Sequence, residues 1–221
     1  MKNRRIRAFQ IGILILNILS VMSISGFIYY TTELIRKHYE AREFLNTVTA
    51  IPVDPKRNMW LCGTGMVLRA MNPSARETYL KNSSKAVTAS LLLDFCISIL
   101  IVYILNFNYN GILIMVFANL IVYVKERKAQ IALMAMAVAC FLLADYNLLS
   151  VRYNLYSISS YIRYYDASVQ QKLLSVYNVL ISMNMVVFVM YCVSYIMDQR
   201  GTIDEVQTLN EELEKANRQL Q

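Results

Sequence analysis

The chain has 221 residues, 57% of them hydrophobic and only 17% charged, with a mean hydropathy of +0.38, whereas a soluble domain of this size carries about a quarter charged residues. Its apolar residues gather in separate blocks of span length, which excludes a large soluble core and indicates an all-α integral membrane protein. The formal net charge of +7 comes without a basic run interleaved with stacking aromatics, so no nucleic-acid partner is expected and membrane lipid headgroups are the simpler counterpart.

Residues 1–30 read as a first transmembrane helix with a basic N-terminus. Lys2, Arg4, Arg5 and Arg7 precede an apolar run from Phe9 to Tyr30, long enough to cross about 30 Å of hydrocarbon. The charge pattern is that of a signal peptide, but the run is long and has no small-residue cleavage site, so the span is expected to stay. Residues 31–85 form an amphipathic stalk and loop region between spans one and two. Leu34, Tyr39, Phe44 and Leu45 carry the helix on among many charges, until Ile51-Pro52 and Asp54-Pro55 stop it. Met59 to Leu68, with Gly63, Gly65 and the single Trp60, is too short to span and predicts an interfacial or packed helix. Asn72-Pro73-Ser74 predicts a turn before a second short helix, Ala75 to Leu80. His38, the single histidine, lies in a charged stretch and reads as a solvated helix residue.

Residues 86–197 are expected to hold four spans, 86–107, 111–124, 131–149 and 173–197, with a tyrosine-rich interfacial segment at 150–172. Asp94 sits among Leu91, Leu92, Leu93 and Phe95, where a carboxylate costs about 2.5–3.5 kcal/mol on insertion scales. Two readings stay open for it, an intramembrane sensing or proton-linked site and a helix–helix hydrogen-bond anchor. Asn106 to Gly111 predicts a tight turn. Span four is rich in Ala and Met, suited to close packing, with Asp145 as a solvated acid near its end. Tyr153, Tyr156, Tyr161, Tyr164 and Tyr165 form a belt for the membrane boundary or the lid of an outer ligand site. Asn178 and Asn184 of span five are placed to hydrogen-bond neighbouring spans. Of the four cysteines, Cys96, Cys140 and Cys192 lie in apolar blocks and read as small buried hydrophobes, whereas Cys62 falls in a loop region.

Residues 198–221 read as a signalling helix. Val206, Leu209, Leu213, Ala216 and Leu220 alternate at spacings of three and four, the seam of a cytoplasmic coiled coil and a homodimer contact, although a solvated amphipathic tail has the same pattern. Glu211 before Lys215 and Glu214 before Arg218 are the favoured order for helix pairs. Gly201, a hinge or a break, separates this stripe from span five. The heptads reach Gln221 without Gly or Pro, which predicts a helix truncated at that point.

Charge counts orient the spans. Five spans put the two ends on opposite sides, and a cytoplasmic C-terminus then leaves fifteen of the 22 Lys and Arg inside and seven outside, the bias expected of that face. The basic N-terminus falls outside, against the same rule. A further crossing or re-entrant element within 31–85 would return it inside.

The order of short spans, tyrosine-rich loop, last span and the run Leu209-Asn210-Glu211-Glu212-Leu213-Glu214-Lys215-Ala216-Asn217-Arg218-Gln219-Leu220 resembles the sensor half of multi-span bacterial two-component histidine kinases. The likeness covers most of the chain in architecture and the last run in motif; similar helices also precede diguanylate cyclase and chemoreceptor signalling domains. It implies a homodimeric receptor, multi-pass in the bacterial cell membrane with a cytoplasmic C-terminus, that couples an envelope, lipid-phase or small amphipathic signal to an autokinase domain beyond Gln221. ATP, Mg and a cognate response regulator are expected only for those further domains. His38 does not match a phospho-acceptor. The chain has no glycine-rich ATP lid, Walker motif, metal-ligand cluster or nucleophile with a base, so no catalytic, cofactor-binding or metal residue is assigned. Two alternatives stay open: the sensor region of a membrane diguanylate cyclase or other receptor, and a small transporter or oligomeric scaffold. A transporter would be expected to pair acids on discontinuous spans, and only Asp94 qualifies.

Overall fold

The apolar blocks become helices, and every regular element among the described residues is helical. The computed structural model describes residues 2–37, 54–80, 84–124, 127–144, 146–150 and 155–220. In chain order the helices are α1 (Lys2–Lys37), α2 (Pro55–Leu80), α3 (Ser84–Ile104), α4 (Ile112–Tyr123), α5 (Arg127–Leu143), α6 (Tyr146–Ser150), α7 (Ile158–Ile162) and α8 (Ala167–Leu220). Helices α1, α3 and α8 are long and apolar enough to cross a membrane. The 12 residues of α4 and 17 of α5 reach only about 18 and 26 Å, so two of the five expected spans fall short of a bilayer's hydrocarbon thickness.

Several boundaries move for local reasons. Asp54-Pro55, expected to stop a helix, starts one: the Asp54 carboxylate accepts the Arg57 amide at 2.9 Å, and Pro55 takes the first helical position, where a missing N–H costs nothing. Helix α2 then runs unbroken to Leu80. This corrects the expected turn at Asn72-Pro73-Ser74 and its pair of short helices. Pro73 removes one backbone hydrogen bond, yet α2 continues through it to Leu80, and the earlier part of the helix packs against α1 and α3 through Gly63 and Gly65. His38, Asp145 and Tyr153 lie outside the described residues.

The bundle buries a set of polar residues within its apolar core and is apolar on its outer surface as well. Asn17, Ser20, Thr31, Thr32, Arg69, Asp94, Asn108, Asn119 and Asn184 are all buried, while Leu93, Leu100, Leu142, Val186 and Val189 are exposed. That arrangement suits a hydrocarbon surround, where large apolar side chains gain nothing by hiding and polar ones must find partners. Ser25 and Thr32 donate to the carbonyls one turn back, Val21 at 2.8 Å and Ile28 at 2.7 Å, which hides both hydroxyls without a partner helix.

Helices α1 and α8 are antiparallel neighbours. Thr31 meets Tyr165 at 2.8 Å, Asn17 meets Asn184 at 3.4 Å, and Ile13 shares a core with Tyr191, so the numbers fall on one helix as they rise on the other. The start of α1 and the tail of α8 therefore lie at the same end of the bundle. This corrects the expectation, drawn from a count of five, that the termini lie on opposite sides. Between α2 and α3, Gly65 permits close approach: a Cβ there would lie 2.9 Å from Ile101 Cδ1 and 3.5 Å from Ile97 Cγ2. Gly65→Leu should separate the two helices at an overpacking cost of about 1–3 kcal/mol. Thermal unfolding of the detergent-solubilised chain should show a lowered midpoint, partly recovered by adding Ile101→Ala.

Candidate functional site

The loop after α3 ties the helices together. Asn106 and Phe107 take positive φ values of 55° and 61°, a left-handed conformation that Asn tolerates better than most residues. The turn presents Asn108 to the tyrosine-rich segment. Its Nδ2 donates to the carbonyls of Leu105 and Tyr156, each at 2.9 Å, and its Oδ1 accepts the Ile158 amide at 2.8 Å. Its backbone carbonyl accepts the Tyr177 hydroxyl at 2.6 Å. A single buried residue thus fastens the loop to the 155–158 segment and to α8.

Tyr109 continues the network into the bundle. Its hydroxyl donates to Asn17 Oδ1 at 3.0 Å and accepts from Asn184 Nδ2, while Asn17 Nδ2 donates to Asn184 Oδ1 at 3.4 Å and to the Ile13 carbonyl at 2.8 Å. The triangle joins α1, the loop and α8, close to the middle of the apolar run Leu173 to Met197. Gly111 makes room for it, since a Cβ there would lie 2.8 Å from the Tyr109 ring. Arg69 of α2 is also buried, 1% exposed, and donates from its guanidinium to the Ile112 carbonyl at 3.3 Å.

The residues named from the sequence divide into two groups. Asp94 is 2% exposed, and its Oδ2 accepts from Asn119 Nδ2 at 3.3 Å, joining α3 to α4; this is the geometry of a helix–helix anchor. Asn184 makes the cross-helix hydrogen bonds expected of it, whereas Asn178 faces outward. Cys62, placed in a loop by the sequence reading, is buried in the core, and Cys96 is exposed rather than buried, because α2 is a packed helix and Cys96 falls on the outer face of α3. The tyrosine-rich segment does not lie flat on a boundary. Tyr156, Ile158, Tyr161 and Ile162 enter the main apolar core, and burial pushes the Tyr156 and Tyr161 phenols above their ordinary value, leaving both as neutral hydrogen-bonding groups.

Beside this network lies a cavity of about 400 Å³ lined by residues of the 107–111 loop, Phe141 of α5, Ser157 to Ser159, and Tyr177, Ile181, Asn184 and Met185 of α8. Of the tyrosine-rich segment, Ser157, Ile158 and Ser159 line this cavity, and none of its tyrosines among the described residues does. Among the described residues no cluster of His, Cys, Asp and Glu could hold a metal ion.

The signalling residues lie far from this site on the same helix. Helix α8 passes through Gly201 without interruption, so its backbone has no break there. Val206, Leu209 and Leu213 are 51%, 58% and 62% exposed, Ala216 is exposed beside them, and the helix backbone extends to Leu220. Glu214 and Arg218 pair at 3.8 Å, a solvated contact worth a few tenths of a kcal/mol. Sequence reading missed Asn17, Arg69, Asn108, Tyr109 and Asn119. A polar residue inside an apolar run was the available signal for Asn17 and Asn119. No family profile, curated protein or solved structure matches the chain.

Two outcomes follow from the network. Asn184→Leu strands groups on Asn17 and Tyr109, at about 1–3 kcal/mol for each buried group left unpaired, so it should lower the unfolding midpoint clearly more than Asn178→Leu. Asp94→Asn keeps an acceptor for Asn119 and should leave the midpoint nearly unchanged, while Asp94→Leu lowers it; the same thermal assay measures both.

Proposed function

We propose that this chain is the sensor and signal-transmission region of a homodimeric bacterial histidine kinase, embedded in the cell membrane with its C-terminus in the cytoplasm. The observation that carries the reading is the register of α8. Tyr177, Ile181, Asn184, Phe188, Tyr191 and Tyr195 follow one another at spacings of four and three; Tyr177 and Asn184 hold the buried network, and Phe188 and Tyr191 pack in the bundle. Val206 stands eleven residues after Tyr195, about three helical turns, so the apolar stripe of the tail continues the face that packs in the bundle. A rotation or axial shift of α8 against α1 is then delivered to the stripe without loss. The exposed stripe is an unfilled seam, and a second copy of the helix in parallel register is the partner that fills it.

The antiparallel pairing of α1 and α8 supports an even number of passes, with α2 as the additional return that a count of five lacks. Gly63 stands near Met22, and Arg69 lies near Tyr109, which bonds Asn17, so α2 runs against α1. Both termini are then cytoplasmic, with thirteen of the 22 Lys and Arg on their side and eight on the other, Arg69 between them. The basic N-terminus now agrees with the charge rule.

Codons following Gln221 should encode a helix with a phospho-acceptor His and then an ATP-binding domain; a diguanylate cyclase domain there would replace the kinase with the alternative effector, and a stop codon would remove both. In membranes of a chain with its four native cysteines changed to Ser, Leu209→Cys and Leu213→Cys should each form disulfide-linked dimers. Failure of both removes the coiled-coil step. Reporters fused at either end should report the same side of the membrane.

A further inference from the structure

We propose that the cavity between α5 and α8 binds a neutral amphipathic molecule, an apolar chain or ring ending in a hydroxyl, ester or amide, which enters sideways from the bilayer. This deepens the receptor reading by naming the class of its input ligand, and it rests on that reading only for the output that binding drives.

The space exists because α4 is short. Helices α5 and α8 each pack on α4 more closely than on one another, and beside the N-terminal end of α4 residues of both line the same cavity. The resulting volume of about 400 Å³ falls within the range of roughly 300–1,000 Å³ typical of small-molecule sites. The lining has no charged residue. Arg69 and Asp94, the buried charged side chains among the described residues, stand outside the lining: Asp94 bonds Asn119, and Arg69 bonds the Ile112 carbonyl and lies behind Tyr109. An ionised ligand would lose its hydration here without a counter-charge.

A purely apolar ligand is disfavoured for the opposite reason. Asn110, which donates to the Phe141 carbonyl at 3.4 Å, and Ser157 and Ser159, whose hydroxyls bond one another at 2.6 Å, bring an amide and two hydroxyls to the wall, each with hydrogen-bonding capacity beyond those bonds. Asn184 has two N–H donors, of which Tyr109 takes one. Covering that remaining capacity with hydrocarbon leaves it unused. Phe141, Ile181 and Met185 supply the apolar side. Of the lining residues, Met185 is 45% exposed and Ser159 is exposed as well, and next to Phe141 and Met185 along α5 and α8 stand Leu142 and Val189, 61% and 56% exposed. An apolar rim of that kind is continuous with the lipid-facing surface of the bundle, so the bilayer is the route of entry. The occupant would touch Ile181 and Asn184, on the helix that leads to the tail.

The test uses the full chain in phosphatidylcholine nanodiscs. The probes are photoreactive, alkyne-tagged derivatives of one alkyl chain, ending in a glycerol monoester, a carboxylate or an ammonium. The neutral probe should label peptides containing residues 107–111 or 177–185, and label them at least about threefold more than either charged probe, the ratio expected of a hydrogen-bonded head group. Ile181→Trp, which fills the cavity, should abolish that labelling. Asn110→Leu provides a second variant that keeps the volume, and should reduce the preference for the neutral head while a head-less alkyl probe still labels. Labelling only by probe premixed with the lipid identifies a membrane lipid as the source; labelling by a short-chain probe added from water identifies a diffusible signal. Equal labelling by charged probes, or label spread along Val186, Val189 and Val193 and unaffected by either variant, overturns the site. Labelling of the cavity with no effect on Leu209→Cys cross-linking keeps the site and removes the receptor reading.

Discussion

The fold depends on the pairing of buried amides and hydroxyls across helices that have no water to fall back on. In hydrocarbon, apolar side chains are no better off inside the bundle than outside, so packing and hydrogen bonds must hold the helices together. Asn17, Tyr109 and Asn184 bond one another, and Asn108 completes the set by satisfying three backbone groups besides joining α8. Irregular backbone at bilayer depth is tolerated only where protein covers it and supplies its partners. The 105–111 loop meets that condition through Asn108 and the 155–158 segment. Removing one member leaves the others unpaired, which explains why a small number of polar side chains fixes the relation of α1, α8 and the loop.

Helix α4 gives the bundle its second defining property. Apart from Asn119 it is apolar on all sides, and it is buried from end to end over residues 112–120, as expected of a central helix. Its neighbours α5 and α8 each pack on it more closely than on each other. Because it is shorter than they are, the bundle is filled at one end and incompletely filled beside the loop at the other. A dense core and a cavity thus arise from the same element. The cavity borders the polar network, so anything that occupies it acts on the groups that hold α8 in place.

Helix α8 carries that position out of the bundle. At 54 residues it is about 80 Å long, far beyond any bilayer, and its inward face keeps its angular position through Gly201 to Leu213. A glycine inside a helix costs about 1 kcal/mol relative to Ala. That is small against the hydrogen bonds and apolar contacts on either side, and the helix persists. Leu209 and Leu213 are exposed at the far end, while Tyr177, Asn184 and Tyr191 at the near end pack within one chain.

Much of the architecture was legible in the residues. Length and hydropathy determined an all-helical chain with apolar runs at α1, α3 and α8, the heptad stripe of the tail, and the depth of Asp94, because each follows from composition and spacing along a single helix. The site was far less legible. Nothing in the spacing of Asn17, Asn108, Tyr109 and Asn184 foretells that they meet, since the partners lie up to 167 residues apart. A local rule also read Pro73 as a break in α2, where the helix continues through it to Leu80. The sequence by itself determined which segments are helical and which faces are apolar, as these are properties of adjacent residues. Only the tertiary structure decided that the two ends lie together, that α4 leaves a cavity, and that the tail's stripe continues the buried face of α8. Those depend on how separate helices pair, and the pairing is fixed by hydrogen bonds between residues distant in the chain.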